Sequence, residues 1–106
     1  MEVIKMSEKY KEKERDFQGG IQKIYHFPNQ YGASVVRHWG SYGFKDGLWE
    51  LAVIKFNKNG SFKLTYNTPI TDDVLGYLNE DEIDPILKKI EELEEVIEKR
   101  KIEMKK

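Results

Sequence analysis

The sequence predicts an α+β fold: an antiparallel sheet of about four strands, C-terminal helices packed on one face, and a helical extension. Three observations predict it. β-prone runs between residues 21 and 66 are separated by Gly, Pro and Asn turn signals. The run "FNKNGSF" carries an Asn-Gly hairpin turn between two apolar stretches. From residue 83 onward apolar residues recur at helical rather than strand spacing.

The chain has 106 residues, 39% of them hydrophobic and 35% charged, which suits one polar globular domain. The expected division is a charged N-terminal arm at 1–19, a single domain at 20–93 and a helical extension at 94–106. Residues 1–19 mix Lys and Glu with few apolar side chains, too few to offset the entropy of ordering. They are expected to form a frayed or weakly helical arm ending at Gly19-Gly20. "IQKIYHF" then reads as a short strand stopped by Pro28-Asn29. "YGASVVRHW" reads as a second, with Ala33, Val35, Arg37 and Trp39 on one face and Ser34, Val36 and His38 on the other.

"LWELAVIKF" is the most β-prone run, and its hairpin partner can be registered. A two-residue loop at Asn59-Gly60 would set Phe56 against Lys63. A three-residue loop, Lys58-Asn59-Gly60 with Gly60 left-handed, sets Phe56 against Phe62, Ile54 against Leu64 and Ala52 against Tyr66. The second register opposes apolar residues throughout and is preferred. It defines an apolar face of Ala52, Ile54, Phe56, Phe62, Leu64 and Tyr66. The opposite face carries Trp49, Leu51, Val53, Lys55, Lys63 and Thr65.

Past Pro69, one of Thr71, Asp72 and Asp73 is expected to cap a short helix that carries Val74, Leu75, Tyr77 and Leu78 into the core. Two starts compete for the last helix, Asn79 with Glu82 and Asp84 with Pro85. The second is expected, with a helix from about Asp84 to Lys105. Ile83, Ile90, Ile97 and Met104 fall at heptad position a, and Ile86, Leu93 and Arg100 at d. Ile83, Ile86, Leu87 and Ile90, nearest the sheet in sequence, are expected to cover the chain's own sheet. A helix of ~22 residues spans roughly 33 Å, more than strands of this length can cover. Self-association through residues 90–104 is therefore expected, carried by Ile90, Leu93, Ile97, Arg100 and Met104, as a homo-oligomer.

Composition argues against several function classes. There is no Cys, so disulfides, thiol catalysis and thiolate metal sites are excluded. His26 and His38 have no carboxylate at ligand spacing, so no metal and no cofactor is expected. Ser34 and Ser41 sit in no nucleophile elbow, and "GSYGFKDG" lacks the Gly-Lys-Ser/Thr ending of a phosphate loop. A non-enzymatic protein is expected. Net charge is −1, with Lys23, Arg37, Lys45, Lys55, Lys58 and Lys63 set against Asp46 and Glu50 in the sheet region. That excess is small for a nucleic-acid binder, and charge spread for solubility explains it as well. No apolar run is long enough to span a membrane, and the N-terminus has no secretory h-region. The expected compartment is the cytoplasm, that of a host cell if the origin suggested below holds.

The stretch "RHWGSYGFKDGLW", residues 37–49, is richer in rings than a hairpin connection requires. Trp49 and Phe44 are assigned to the core. Arg37, His38, Trp39, Tyr42 and Lys45 are the candidate binding residues, suited to stacking on a planar anion or to anchoring a protein interface. Aromatic cover of a sheet end is the competing reading.

"HFPNQYGASVVRHWGSYGFKDGLWELAVIKF" followed by "LTYNTPITDDVLGYLNEDEI" resembles a group of small proteins of bacteriophages and prophages. Their pattern runs FPN-x-YGASVVRH, SYG, GLWELAV and (D/N)TPITDDV-x-G-x-L. The resemblance covers residues 26–90 and implies an origin, with no activity attached. It makes the leading expectation a phage accessory protein that binds and inhibits a host factor, of the anti-defence kind. The alternative is a binder that sequesters a nucleotide-like immune signal, and weak nucleic-acid binding stands third.

Overall fold

A computed structural model describes residues 10–71 and 73–93. The architecture is α+β: an antiparallel sheet with one C-terminal helix. The strands are β1 (Lys11–Phe17), β2 (Gly20–His26), β3 (Tyr31–Arg37), β4 (Trp49–Phe56), β5 (Phe62–Leu64) and β6 (Leu75–Leu78), and the helix is α1 (Glu80–Glu91). They form one six-stranded sheet ordered β1-β2-β3-β4-β5, with β6 also paired to β4. β3 occupies one edge of β4, so β5 and β6 share the other, β5 at Ile54–Phe56 and β6 at Trp49–Leu51.

The expected four strands understate this sheet at both ends of the chain. Residues 11–17, expected in a frayed arm, form β1 and pair with β2 down to Phe17 opposite Gly20. Gln18 and Gly19, with φ of 46° and 80°, make the tight turn whose twist suits a two-residue hairpin. Residues 75–78, expected in a short helix, are β6, with Leu75 opposite Leu51 and Leu78 opposite Trp49. The hydroxyls of Thr68 and Thr71 explain the difference. Each accepts from the backbone N–H two residues on, Ile70 at 3.3 Å and Asp73 at 3.1 Å, so they close local turns and start no helix.

The β4–β5 hairpin has the three-residue loop read from sequence, with Phe56 opposite Phe62 and Ile54 opposite Leu64. Gly60, at φ 88°, supplies the left-handed residue. The β2–β3 turn repeats that geometry with a different sequence. Asn57 N–H donates to Ser61 O at 2.7 Å and Phe27 N–H to Tyr31 O at 2.9 Å, while Gly60 and Gln30 N–H donate back to Asn57 and Phe27, each at 3.0 Å. In each loop an Asn side chain accepts from the N–H two residues on, Asn59 from Ser61 and Asn29 from Tyr31. Gln30, at φ 70°, stands where the other loop has Gly60.

Which face is covered differs from expectation. The helix lies on the face of Trp49, Leu51 and Val53, where Tyr25, Phe27, Tyr31, Ala33 and Val35 meet Ile83, Leu87, Ile90 and Leu93 in one buried cluster. The face proposed for cover holds a separate cluster of Ile24, Ile54 and Phe56, and its Phe62, Leu64 and Tyr66 are exposed. β2 and β3 decide the matter, because Tyr25, Tyr31 and Val35 share the face of Leu51 and Val53.

α1 starts at Asn79, not Asp84. Asn79 Oδ1 accepts from Glu82 N–H and Glu82 Oε1 accepts from Asn79 N–H, both at 3.1 Å, a capping box. Leu78 and Ile83, the residues that bracket such a box, are both in the buried cluster. Together they hold the first turn although Pro85 removes one internal N–H. Ile83, Leu87 and Ile90 are buried against the chain's own sheet as expected, and Leu93, expected at a partner helix, is buried there with them. Ile97, Arg100 and Met104 lie outside the described residues. No described helix is long and apolar enough to cross a membrane.

Candidate functional site

Between β3 and β4 the chain makes a compact loop built on Ser41. Its hydroxyl donates to His38 O at 2.9 Å and accepts from His38 N–H at 3.0 Å, pinning the start of the turn. A 3-10 turn at Phe44–Asp46 follows, closed by Gly47 N–H to Phe44 O at 3.1 Å. Gly43 enters that turn at φ 90°, and a Cβ there would lie 2.8 Å from Leu48 Cβ and 3.2 Å from Tyr77 Cα. The loop thus packs directly on β6, and only glycine fits the contact.

That packing assembles a groove of about 390 Å³ lined by Trp39, Tyr42, Phe44, Lys45, Asp46 and Tyr77. Trp39 meets Phe44 edge-on with centroids 5.8 Å apart, and Tyr42 lies 6.1 Å from Tyr77. The rings face solvent: Trp39 is 72% exposed, Tyr42 56% and Tyr77 60%. Rings that merely covered the end of the sheet would be mostly buried.

Of the sequence-derived candidates, Trp39, Tyr42 and Lys45 therefore come together. Arg37 and His38 do not join them. The Arg37 guanidinium carbon stacks 4.4 Å from the Trp49 ring centroid, and Nη1 donates to Gly47 O at 3.3 Å. The His38 ring meets Phe17 edge-on at 5.0 Å, with Nδ1 2.9 Å from Trp39 O. Strand alternation already puts Arg37 on the helix-covered face with Val35, where Trp49 offers a π-surface. Trp49 is in the core as expected, and Phe44 is half-buried at the groove.

Tyr77 was missed. It had been assigned to a core-facing helix, yet here it has φ 57° at an irregularity in the β4–β6 pairing. A bulge of this kind re-aims a side chain, and here it turns the ring outward. The available signal was Gly76: a Cβ there would sit 2.7 Å from Tyr42 Cβ, so the glycine marks a close approach.

Ser41 Oγ spends its proton on His38 O, leaving no poised nucleophile. Among the described residues no cluster of His, Asp and Glu side chains is placed to hold a metal ion. No family model, curated protein or solved structure matches the chain.

Proposed function

We propose that this is a non-enzymatic binding protein whose aromatic groove docks a partner protein. Given the resemblance of residues 26–90 to phage and prophage proteins, the partner in this reading is a host factor that the protein inhibits. One observation carries the reading: three highly exposed rings, Trp39, Tyr42 and Tyr77, ring a single groove. Aromatic side chains held rigid at a surface bring large contact area at little entropic cost, and they dominate interface hot spots.

The nucleotide-sponge reading needs a cation fork at the rings. Arg37 is committed to Trp49 and Gly47, and the groove retains Lys45 beside Asp46. That charge pair favours a partner of mixed surface chemistry over a polyphosphate.

The test uses Trp39→Ala, Tyr42→Ala and Tyr77→Ala beside the wild type. A photo-crosslinking residue at position 46, on the groove wall, should capture one discrete host protein, and each alanine variant should lose it while melting like wild type. Interface rings of this kind typically cost about 2 kcal/mol or more of affinity on truncation. A phosphorylated metabolite on the purified protein, lost in Lys45→Ala, would instead support the sponge.

A further inference from the structure

Several rings of this protein carry a cation from the chain itself. Trp49 has Arg37 at 4.4 Å and Lys23 at 4.7 Å from its centroid, and Tyr31 has Lys55 at 4.6 Å. Among the described residues no cation lies over Trp39, Tyr42 or Tyr77, the exposed rings of the groove. The negative face of a ring attracts a cation, so these faces are open to one from outside.

The ring arrangement keeps them open. Trp39 and Phe44 meet at 86°, which makes a corner and closes neither ring. Tyr42 and Tyr77 stand 6.1 Å apart at 36°, whereas His26 and Phe56 stack at 3.7 Å. Tyr42 is also fixed in place: its N–H donates to Glu50 Oε1 at 3.2 Å, and Gly76 lets β6 close on its Cβ. Rings held in this way lose little freedom on binding.

Charge then selects the sign of the occupant. Asp46, on the groove wall, has no side-chain hydrogen bond or ion pair among the described residues. Glu50 brings a second carboxylate beside Tyr42, against the one ammonium of Lys45 on the wall. Arg37 is drawn away to the helix-covered face by Trp49. Of the cations a protein can present, arginine suits the groove best. Its guanidinium is planar and weakly hydrated, lies flat on a ring, and offers a carboxylate two parallel N–H bonds. A lysine ammonium is compact and strongly hydrated, and gives up more water on entering.

We infer that the aromatic groove is a guanidinium site, entered by an arginine side chain of the partner. The guanidinium stacks on the exposed rings and donates to Asp46. The inference rests on the groove's being a docking site and names the chemistry that docks there.

The probe is N-acetyl-arginine amide, titrated at constant ionic strength to about 100 mM, because one side chain alone should bind with a Kd on the order of 10 mM. The readout is the Trp39 indole N–H signal, one of two in the spectrum and the one that Trp39→Phe removes. It should shift saturably, and the neutral isostere N-acetyl-citrulline amide should bind about fivefold more weakly or worse. Tyr77→Ala should weaken the arginine probe about fivefold and Asp46→Asn about threefold. The second loss is small enough for a crosslinker at position 46 still to report capture. Lys45→Ala should strengthen the probe about twofold, since it removes a like charge. An unmoved Trp39 signal, equal binding of the citrulline probe, or weaker binding by Lys45→Ala overturns the inference. The docking reading fails separately. A captured host partner with a Trp39 signal that ignores the arginine probe keeps the docking and overturns the guanidinium site. Saturable arginine binding without a captured partner supports the site and overturns the docking.

Discussion

The Asn29 side-chain amide donates to the carbonyl of Ile90 at 2.9 Å and to that of Glu91 at 2.8 Å, joining residues sixty-one and sixty-two positions apart. Its carbonyl oxygen accepts from Tyr31 N–H at 2.9 Å. One buried turn residue thus fixes its own hairpin and caps the last carbonyls of α1, where the regular helix bonds run out. Asn29→Ala leaves several buried groups unpaired, and the expected loss is about 2–3 kcal/mol in a denaturant titration. Asn29→Asp should also destabilise, since a carboxylate cannot donate to Ile90 and repels the carbonyl end of the helix.

The matching loops at 27–31 and 57–61 give a paired prediction. Gly60→Val places a Cβ-branched residue at φ 88°, and should cost about 1 kcal/mol or more. Gln30→Gly makes the reverse exchange at φ 70° and should stabilise by about 0.5 kcal/mol. The gain is trimmed by the lost contact between Gln30 Oε1 and His26 Nε2, 3.0 Å apart. Thermal melts of the two variants should move in opposite directions.

Trp49 separates core from surface in the aromatic loop. Trp49→Ala should cost about 3 kcal/mol or more, as buried aromatic truncations do. Trp49→Phe keeps a ring for Arg37 and Lys23 and removes the unpaired donor, so it should cost less than half as much. Arg37→Ala should lower stability by about 1 kcal/mol through the lost ring stack and leave partner capture unchanged. Capture measured beside the melts would expose Arg37 as a contact residue if both fell together.

Tyr77 carries backbone strain at an exposed position. Asn tolerates the left-handed region better than an aromatic residue. Tyr77→Asn should therefore melt no lower than wild type while losing the groove's partner. A clear drop in Tm would mean that the ring stabilises the loop more than the strain opposes it.

Burial, with added repulsion from Asp84 and Glu14, pushes the Tyr25 hydroxyl from its ordinary 10.0 up to about 12. Between those values the unfolded chain binds fewer protons than the folded one. The Tyr25 contribution is thus fully present below pH 10 and lost as pH rises toward 12. Tyr25→Phe should flatten this alkaline fall in stability, measured as urea midpoints across that range. Phenolate absorbance of the folded wild type should show one late-ionising tyrosine that the variant lacks.

Local signals in the sequence were enough for the β4–β5 hairpin, because Asn59-Gly60 and the Phe56/Phe62 pairing constrain each other. They were not enough for the covered face. Ala52, Ile54 and Phe56 are as apolar as Trp49, Leu51 and Val53, and the choice is made by Tyr25, Ala33 and Val35 on other strands. β1 escaped because its Lys11–Asp16 run is exposed throughout, leaving no apolar periodicity to read. It is held by backbone pairing and a left-handed turn. That Trp39, Tyr42 and Lys45 gather in one loop was readable from composition alone. Withdrawing Arg37 and recruiting Tyr77 required the registers of β3 on β4 and of β4 on β6.

β1 is the terminal strand of the described sheet, and past the irregularity at Lys11–Lys13 its charges sort by face. Glu14 and Asp16, opposite Lys23 and Ile21, point to the helix side. Lys13 and Arg15, opposite Ile24 and Gln22, point away. Residues directly across a ladder share a side of the sheet. A second copy that paired residues 13–16 with their like, its helix on the same side, would therefore set acid against acid and base against base. Extension by a like molecule is repelled along that stretch of the edge. A foreign strand with bases toward the helix side and acids away would find each of these charges matched.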